Sequence, residues 1–321
     1  MTTSQMNLFD SFEHRLNVGA DADKAEWGKL MGGAKVKRTI PAMDLTRFHL
    51  ILISTSAGKD SQAMLSAVHR MAVEQGVTDR LIAVHADLGR AEWTGTDDLA
   101  QQQCDMLNIP LTTVRSINKR GDEHSLLERV AERGMWYGIG TTQWCTSDFK
   151  RGPINKVITA HNKAFRQTNP GETFAVLNCI GYRSLESDKR KAKVRDDGML
   201  TGQINERLTN KTRTTTDWSP IGEWTEEQVW AEIDSSGLPH HFAYDLGMPR
   251  LSCVFCIYAN RSQLLLAGRH NPELLAEYVQ IETQIDHTFT QKQSLAEIQT
   301  ALAAGEEPNM TELADGKGGA M

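Results

Sequence analysis

The sequence contains no apolar run approaching the ~20 residues that a membrane-crossing helix requires. Its first residues, MTTSQMNLFDSFEHR, lack the basic stretch followed by an apolar stretch that marks a secretory signal. Cysteine is scarce, with five in 321 residues. That odd number excludes a disulfide-stapled scaffold and suits a reducing compartment. Proline (9) and glycine (25) are too few for a collagen-like fibre, and 40% hydrophobic with 24% charged residues excludes disorder. The expectation is a cytoplasmic protein without a membrane partner, built as one large domain with additions or two ordinary ones.

The net charge of −6 is unevenly placed. From Glu273 onward the chain contributes −7, so the remainder is close to neutral. Within that remainder, Arg183 to Arg213 holds nine Lys and Arg against five Asp and Glu. A local basic stretch of this kind admits a polyanionic partner whatever the overall sign.

Four hydrophobic segments read as strands: Phe48–Ser54, Leu81–Ala86, Leu111–Arg115 and Thr173–Ile180. The first is almost continuously apolar, as a strand buried on both faces requires. Helical spacing follows it at Met64, Leu65, Val68, Met71 and Ala72, then around Asp98–Leu107, Glu123–Arg133 and Arg151–Lys163. Strands alternating with helices predict a doubly wound α/β sheet. Thr225 to Gln228 forms a capping box, and Gly237 closes the helix it opens. Arg183 to Asp217 shows little periodicity and reads as a long mobile loop. The expected organisation is an N-terminal extension over 1–45, an α/β domain over 46–259 and a helical, acidic C-terminal extension over 260–321.

The first strand–helix junction reads Ser56-Ala57-Gly58-Lys59-Asp60-Ser61. Small residues let the backbone turn sharply and aim N–H groups at an anion on a helix N-terminus. Lys59 adds a point charge, and the Ser56 and Ser61 hydroxyls can donate to phosphate oxygens. The spacing is not that of a nucleoside-triphosphate P-loop. Asp60 beside bound phosphates calls for a divalent cation, which points to Mg²⁺ and a pyrophosphate group.

These residues, with others in order along the chain, resemble the PP-loop of the adenine-nucleotide α-hydrolases. More narrowly they resemble the phosphoadenosine phosphosulfate reductase family, which includes the DNA phosphorothioation proteins of the DndC and SspD type. The supporting segments are His85-Ala86-Asp87-Leu88-Gly89 with Glu92; Trp144-Cys145-Thr146 with Lys150 and Pro153; and Gly181-Tyr182-Arg183-Ser184-Leu185-Glu186-Ser187 with Arg190. A further set is Trp218-Ser219-Pro220-Ile221 with Trp224, Val229-Trp230, Tyr244, Arg250 and Cys253-Val254-Phe255-Cys256. The resemblance implies a five-stranded, mainly parallel sheet and cleavage of ATP between its α- and β-phosphates. It places Ser54, Ser56, Ala57, Gly58, Lys59, Asp60, Ser61, Asp87, Gly181 and Arg183 at the nucleotide, with Lys59, Asp60 and Arg183 catalytic. Glu186, Ser187, Arg190, Lys150 and Arg250 fall to the substrate or its phosphates, and Asp60 to magnesium.

Some of these residues have plainer readings. Asp87 closes a strand, where it binds magnesium or a ribose hydroxyl, or merely caps a helix. His85 reads as a packed core histidine, and Trp218, Trp224 and Trp230 as core. Lys191, Lys193 and Arg195 read as a solvated face.

Cys253 and Cys256 alone fit zinc, a cluster or thiol exchange. The resemblance brings Cys145 to them, with Trp144 standing where a tandem cysteine is frequent. Three readings stay open: a [4Fe–4S] cluster on three thiolates, zinc with His240 or His241 as fourth ligand, or inert thiols. Cys104 and Cys179 read as core thiols. The functional expectation is an ATP pyrophosphatase that adenylates a nucleic-acid oxygen for sulfur insertion, most naturally in DNA, supplied by a cysteine desulfurase and working with other modification subunits or as a homo-oligomer. The alternatives are a sulfonucleotide reductase, although no cysteine follows Cys256 to serve it, a tRNA thiolation enzyme, and a nucleotide-sensing subunit without catalysis.

Overall fold

The computed structural model describes residues 38–136, 143–195, 199–205 and 207–314. The expected N-terminal extension up to residue 37, and the tail from 315, lie outside them.

The first apolar run forms β1 (Leu50–Thr55), and its side chains divide by period two. Ile51 and Ile53 face Met64, Leu65 and Val68 of α1 (Lys59–Glu74), while Leu50 and Leu52 face Ile158 and Phe174 on the other side. The chain continues through β2 (Leu81–Ala86), α2 (Thr96–Met106), β3 (Leu111–Val114), α3 (Leu126–Arg133), α4 (Gly152–Thr168) and β4 (Phe174–Cys179). Strands pair in the order β3-β2-β1-β4, all parallel, with Thr55 opposite His85 and Ile53 opposite Cys179. The chain therefore winds outward from β1 in one direction, then crosses to its other side at β4. That reversal opens a crevice beyond the C-terminal ends of β1 and β4.

The segment expected to be a mobile loop contains two strands instead. β5 (Met199–Ile204) forms the edge, antiparallel to β6 (Arg213–Trp218), and β6 pairs parallel with β4. Five parallel strands plus one antiparallel edge make up the sheet. The β6 sequence RTTTDW hides a buried strand because its polar groups are satisfied by neighbours. The Thr215 N–H donates to Thr209 Oγ1, and Asp217 accepts from the Asn178 and Asn205 amides at 2.8 and 2.9 Å. Arg213 is only 5% exposed and donates to Leu208 O and Thr159 Oγ1, so it is a structural cation unavailable to an outside polyanion.

Helix α5 (Glu226–Ser236) starts at its capping box on Thr225 and ends at Gly237, whose φ of 69° favours glycine. It packs beside α1 on the Ile51 face with Trp218 and Trp224, the core residues expected. Helices α6 (Arg261–His270), α7 (Pro272–Ile285) and α8 (Leu295–Ala303) form a second core with Leu88, Trp93, Trp136 and Phe255. At its centre Tyr278 stacks on Trp136, with ring centroids 5.4 Å apart. No described helix is long and apolar enough to cross a membrane.

Candidate active site

The loop after β1 sits at the crevice. Ala57 takes a φ of 53°, a left-handed conformation that costs a non-glycine residue on the order of 1 kcal/mol. The turn is closed from within: Ser56 N–H donates to Ser61 Oγ, and Ser61 Oγ donates to Gly58 O. α1 then begins with no side-chain cap, leaving its first N–H groups without intrahelical partners. This is the arrangement that draws an anion. β4 approaches the same point. A Cβ on Gly181 would lie 3.3 Å from Ser61 N and Cα, so a side chain there would press on the backbone of the loop.

The expected charges gather here, but they meet one another. Arg183 Nε donates to Asp60 Oδ1 at 2.5 Å, and the buried guanidinium balances the loop carboxylate. Asp60 is therefore compatible with its loop without a cation. Any magnesium would be carried largely by the phosphates of a nucleotide, since the protein offers it one carboxylate already shared with Arg183. Lys59 Nζ turns away from the loop, donating to Pro249 O at 2.5 Å and lying 3.3 Å from Glu226. Lys59 N–H donates to Tyr244 Oη at 2.7 Å. Burial, opposed by the hydrogen bonds from Lys59 and Leu251, pushes the Tyr244 phenol well up, so it stays protonated. Gly58 is pressed between Tyr244 and Leu251, whose atoms lie 3.4 and 3.3 Å from where a Cβ would stand.

Between Pro249 and Leu251, both touching the loop, lies Arg250. Its buried Nη2 has no hydrogen-bond partner among the described residues. An unsatisfied buried guanidinium nitrogen is costly and fits a site built for an anion. Glu186, Ser187 and Arg190 form a neighbouring turn: Glu186 accepts from Arg183 N–H and from the Arg190 guanidinium. Ser187 Oγ accepts from Arg190 N–H, and Arg190 lies over the Tyr182 ring at 4.7 Å. Asp87 accepts from Gly89 N–H and is held by Arg115 at 2.7 Å. Asp87 thus closes an Asx-type turn and is not the helix cap, since the short helical turn Gly89–Ala91 has Leu88 at its N-cap and no side-chain cap; Arg115, one residue beyond β3, is a partner the motifs did not name.

His85 is fully buried, its Nδ1 3.2 Å from Thr55 O and its Nε2 3.2 Å from Glu92 Oε2. Burial pushes its pKa down, but the hydrogen bond and charge of Glu92, with Thr55 and Asp87, carry it above its ordinary value. Glu92 also faces the cysteine region. Cys145, Cys253 and Cys256 lie within each other's electrostatic reach, around Lys150. Burial pushes the Cys253 thiol up to about 12 against the pull of Lys150. Burial opposes the Lys150 charge, yet Cys253, Glu92 and the other two thiols hold its pKa above the usual value.

The two histidines considered as a fourth zinc ligand have other partners here. His241 Nδ1 accepts Ala243 N–H and its Nε2 faces Thr96 Oγ1 at 3.2 Å, while His240 Nε2 pairs with Asp245. Among the described residues, no three His, Cys, Asp or Glu side chains are gathered closely enough for one metal ion. Cys104 and Cys179 are buried in the core, as expected.

An anion-ready helix start at the switch point of a parallel sheet defines an α/β nucleotide-binding protein. Residues 50–259 match the phosphoadenosine phosphosulfate reductase domain, and the chain belongs to that family. Among solved structures it is similar to phosphoadenylyl-sulfate reductase from Candida auris in its phosphate complex. The identity is 16%, covering 65% of this chain and 83% of that one, with a TM-score of 0.39. It is also similar to the U34-tRNA thiolase NcsA from Methanococcus maripaludis with its [4Fe-4S] cluster. There the identity is 12%, covering 83% of this chain and 75% of that one, with a TM-score of 0.40. No curated protein matches the sequence.

Proposed function

We propose that this protein is an ATP pyrophosphatase that activates an oxygen of a nucleic acid for replacement by sulfur, with DNA phosphorothioation as the preferred setting. The carrying observation is the buried, unpartnered Nη2 of Arg250, set between two residues that touch the Ser56–Ser61 loop. In this reading the acceptor oxygen attacks the α-phosphorus, the bond to the β-phosphate breaks, and pyrophosphate leaves. A persulfide from a cysteine desulfurase then attacks the activated centre, AMP leaves, and a further thiol as reductant cleaves the resulting S–S bond to free the thiolated product. The N-terminus of α1 and Arg250 hold phosphate oxygens, while Arg183 holds Asp60 in place. Magnesium, bound with the nucleotide, would neutralise phosphate charge. Cys145, Cys253 and Cys256 would hold a [4Fe–4S] cluster, which supplies a site for sulfur when bound.

The preference for DNA rests on the sequence resemblance. The basic stretch lends it less support than its count of cations suggests, because Arg183, Arg190 and Arg213 are engaged internally. The test is product analysis. Incubation with ATP and Mg²⁺ should yield AMP and pyrophosphate, at least about a hundredfold less in Asp60→Ala and Arg250→Gln than in the wild type. ADP and phosphate as the main products would overturn the reading.

A further inference from the structure

The loop at β1 leaves unexplained a cleft of about 480 Å³ on another part of the molecule. It lies between the segment that follows β3, helix α3, and the Asp148–Phe149 stretch ahead of α4. This volume falls within the range of small-ligand sites. It is much larger than a lone phosphate requires.

One wall is a preformed turn. Ile117 bridges antiparallel to Glu123, and Asn118 Oδ1 accepts from the N–H groups of Arg120 and Asp122. The turn closes at Gly121, whose φ is 94°. Lys119 and Arg120 therefore stand on a fixed backbone at its tip. Neither makes an ion pair among the described residues, although both line the cleft. The acidic residues lining it do have partners. Asp148 is held by Arg133 at 3.1 Å and accepts from Ser147 Oγ, and Glu132 lies 3.2 Å from Arg129. The uncompensated charge of the cleft is thus positive.

Its floor carries an unfilled polar group. His124 is more than nine-tenths buried, and its Nε2 has no hydrogen-bond partner among the described residues. Glu132 Oε2 comes within 3.2 Å of that nitrogen, yet out of line for a hydrogen bond. Phe149 lies beside it with ring centroids 6.1 Å apart, and half-exposed Ile117 supplies an apolar edge. Two free cations and a buried ring nitrogen suit a phosphoryl group. The apolar surfaces and the volume suit a nucleoside attached to it.

We infer that this cleft is a second site, apart from the β1 loop, for a nucleoside phosphate, either free or at the end of a nucleic-acid strand. The inference stands independently of the reaction proposed above.

Calorimetric titration of the full chain with dTMP, with a 5′-phosphorylated thymidine hexamer and with inorganic phosphate tests it. The wild type should bind dTMP or the hexamer more tightly than phosphate. Lys119→Ala/Arg120→Ala should weaken that binding about tenfold or more while ATP binding persists. Lys119→Arg/Arg120→Lys should recover it, and Asp60→Ala/Ser61→Ala should leave it intact. Tighter binding of the hexamer identifies a strand end as the ligand, and equal binding identifies the free nucleotide. Loss of binding in the loop variant alone, unchanged affinity in the Lys119/Arg120 double variant, or no binding to the wild type would each overturn the inference.

Discussion

Both ring nitrogens of His85 face oxygen acceptors, one a main-chain carbonyl and one the Glu92 carboxylate. Only the doubly protonated ring donates to both, which agrees with its raised pKa. The linkage follows directly. The folded protein holds this proton more tightly than the unfolded chain, so the stability it contributes is complete below the ordinary value of 6.5. It is lost as pH rises through the higher folded value. Urea midpoints of the wild type should therefore fall from about pH 6 to about pH 9. The decline should be smaller in Glu92→Gln, which removes the charge that retains the proton. A wild-type midpoint flat across that window would contradict this account. The pair also has a positional role, since Thr55 ends β1 beside His85, the next-to-last residue of β2, at the mouth of the crevice.

Helix α1 carries the loop's anion-facing end, and α5 fixes its orientation through a polar clamp. Glu232 of α5 is fully buried and accepts from Arg70 at 2.6 Å and from Ser66 Oγ at 2.7 Å. Arg70→Met would leave that buried carboxylate without its cation, at a cost of roughly 1–3 kcal/mol given the partial exposure of the arginine. Arg70→Met/Glu232→Leu should recover most of the loss in urea denaturation, and failure of the double variant to recover would refute the clamp. The elements themselves differ in how visible they are in the sequence. β1, β2 and β4 are legible because burial on both faces demands continuous apolar runs, and α5 because its cap and its glycine bracket it. β6 is not, since Thr215 and Asp217 are paid for by hydrogen bonds to residues outside the strand. The loop motif likewise locates the site at Ser56 to Ser61. Its contacts with Tyr244, Pro249 and Glu226 come from distant sequence, and no local pattern encodes them.

At the scale of the molecule, residues from Thr39 onward form one compact unit, and the C-terminal helices share a core with the cysteine segment. Tyr278 stacks on Trp136 and meets Phe255, the residue next to Cys256, at 5.0 Å. Acidic residues of the C-terminal segment make ion pairs within the fold. Glu277 pairs with Arg90, Glu306 with Arg261 and Glu307 with Arg269. Cys145 arrives from the opposite half of the chain, so assembly of the three thiols depends on the whole fold. Protein isolated without oxygen should be brown and contain about four iron per chain, with the visible band lost in Cys145→Ser, Cys253→Ser or Cys256→Ser. Stoichiometric zinc without iron would refute the cluster.

The hydrogen bond from Lys59 N–H to Tyr244 Oη has a consequence for how ligand concentration is read. Under the proposed function, a nucleotide that takes that donor at α1 competes with the protein's own phenol, so binding through it is an exchange of hydrogen bonds. The apparent dissociation constant is then the intrinsic one divided by the fraction of molecules in which the phenol has let go. A change of about 1.4 kcal/mol in that opening moves half-saturation tenfold. The threshold is thus set 185 residues away from the loop, and substitutions near Tyr244 can retune it while every loop residue stays the same.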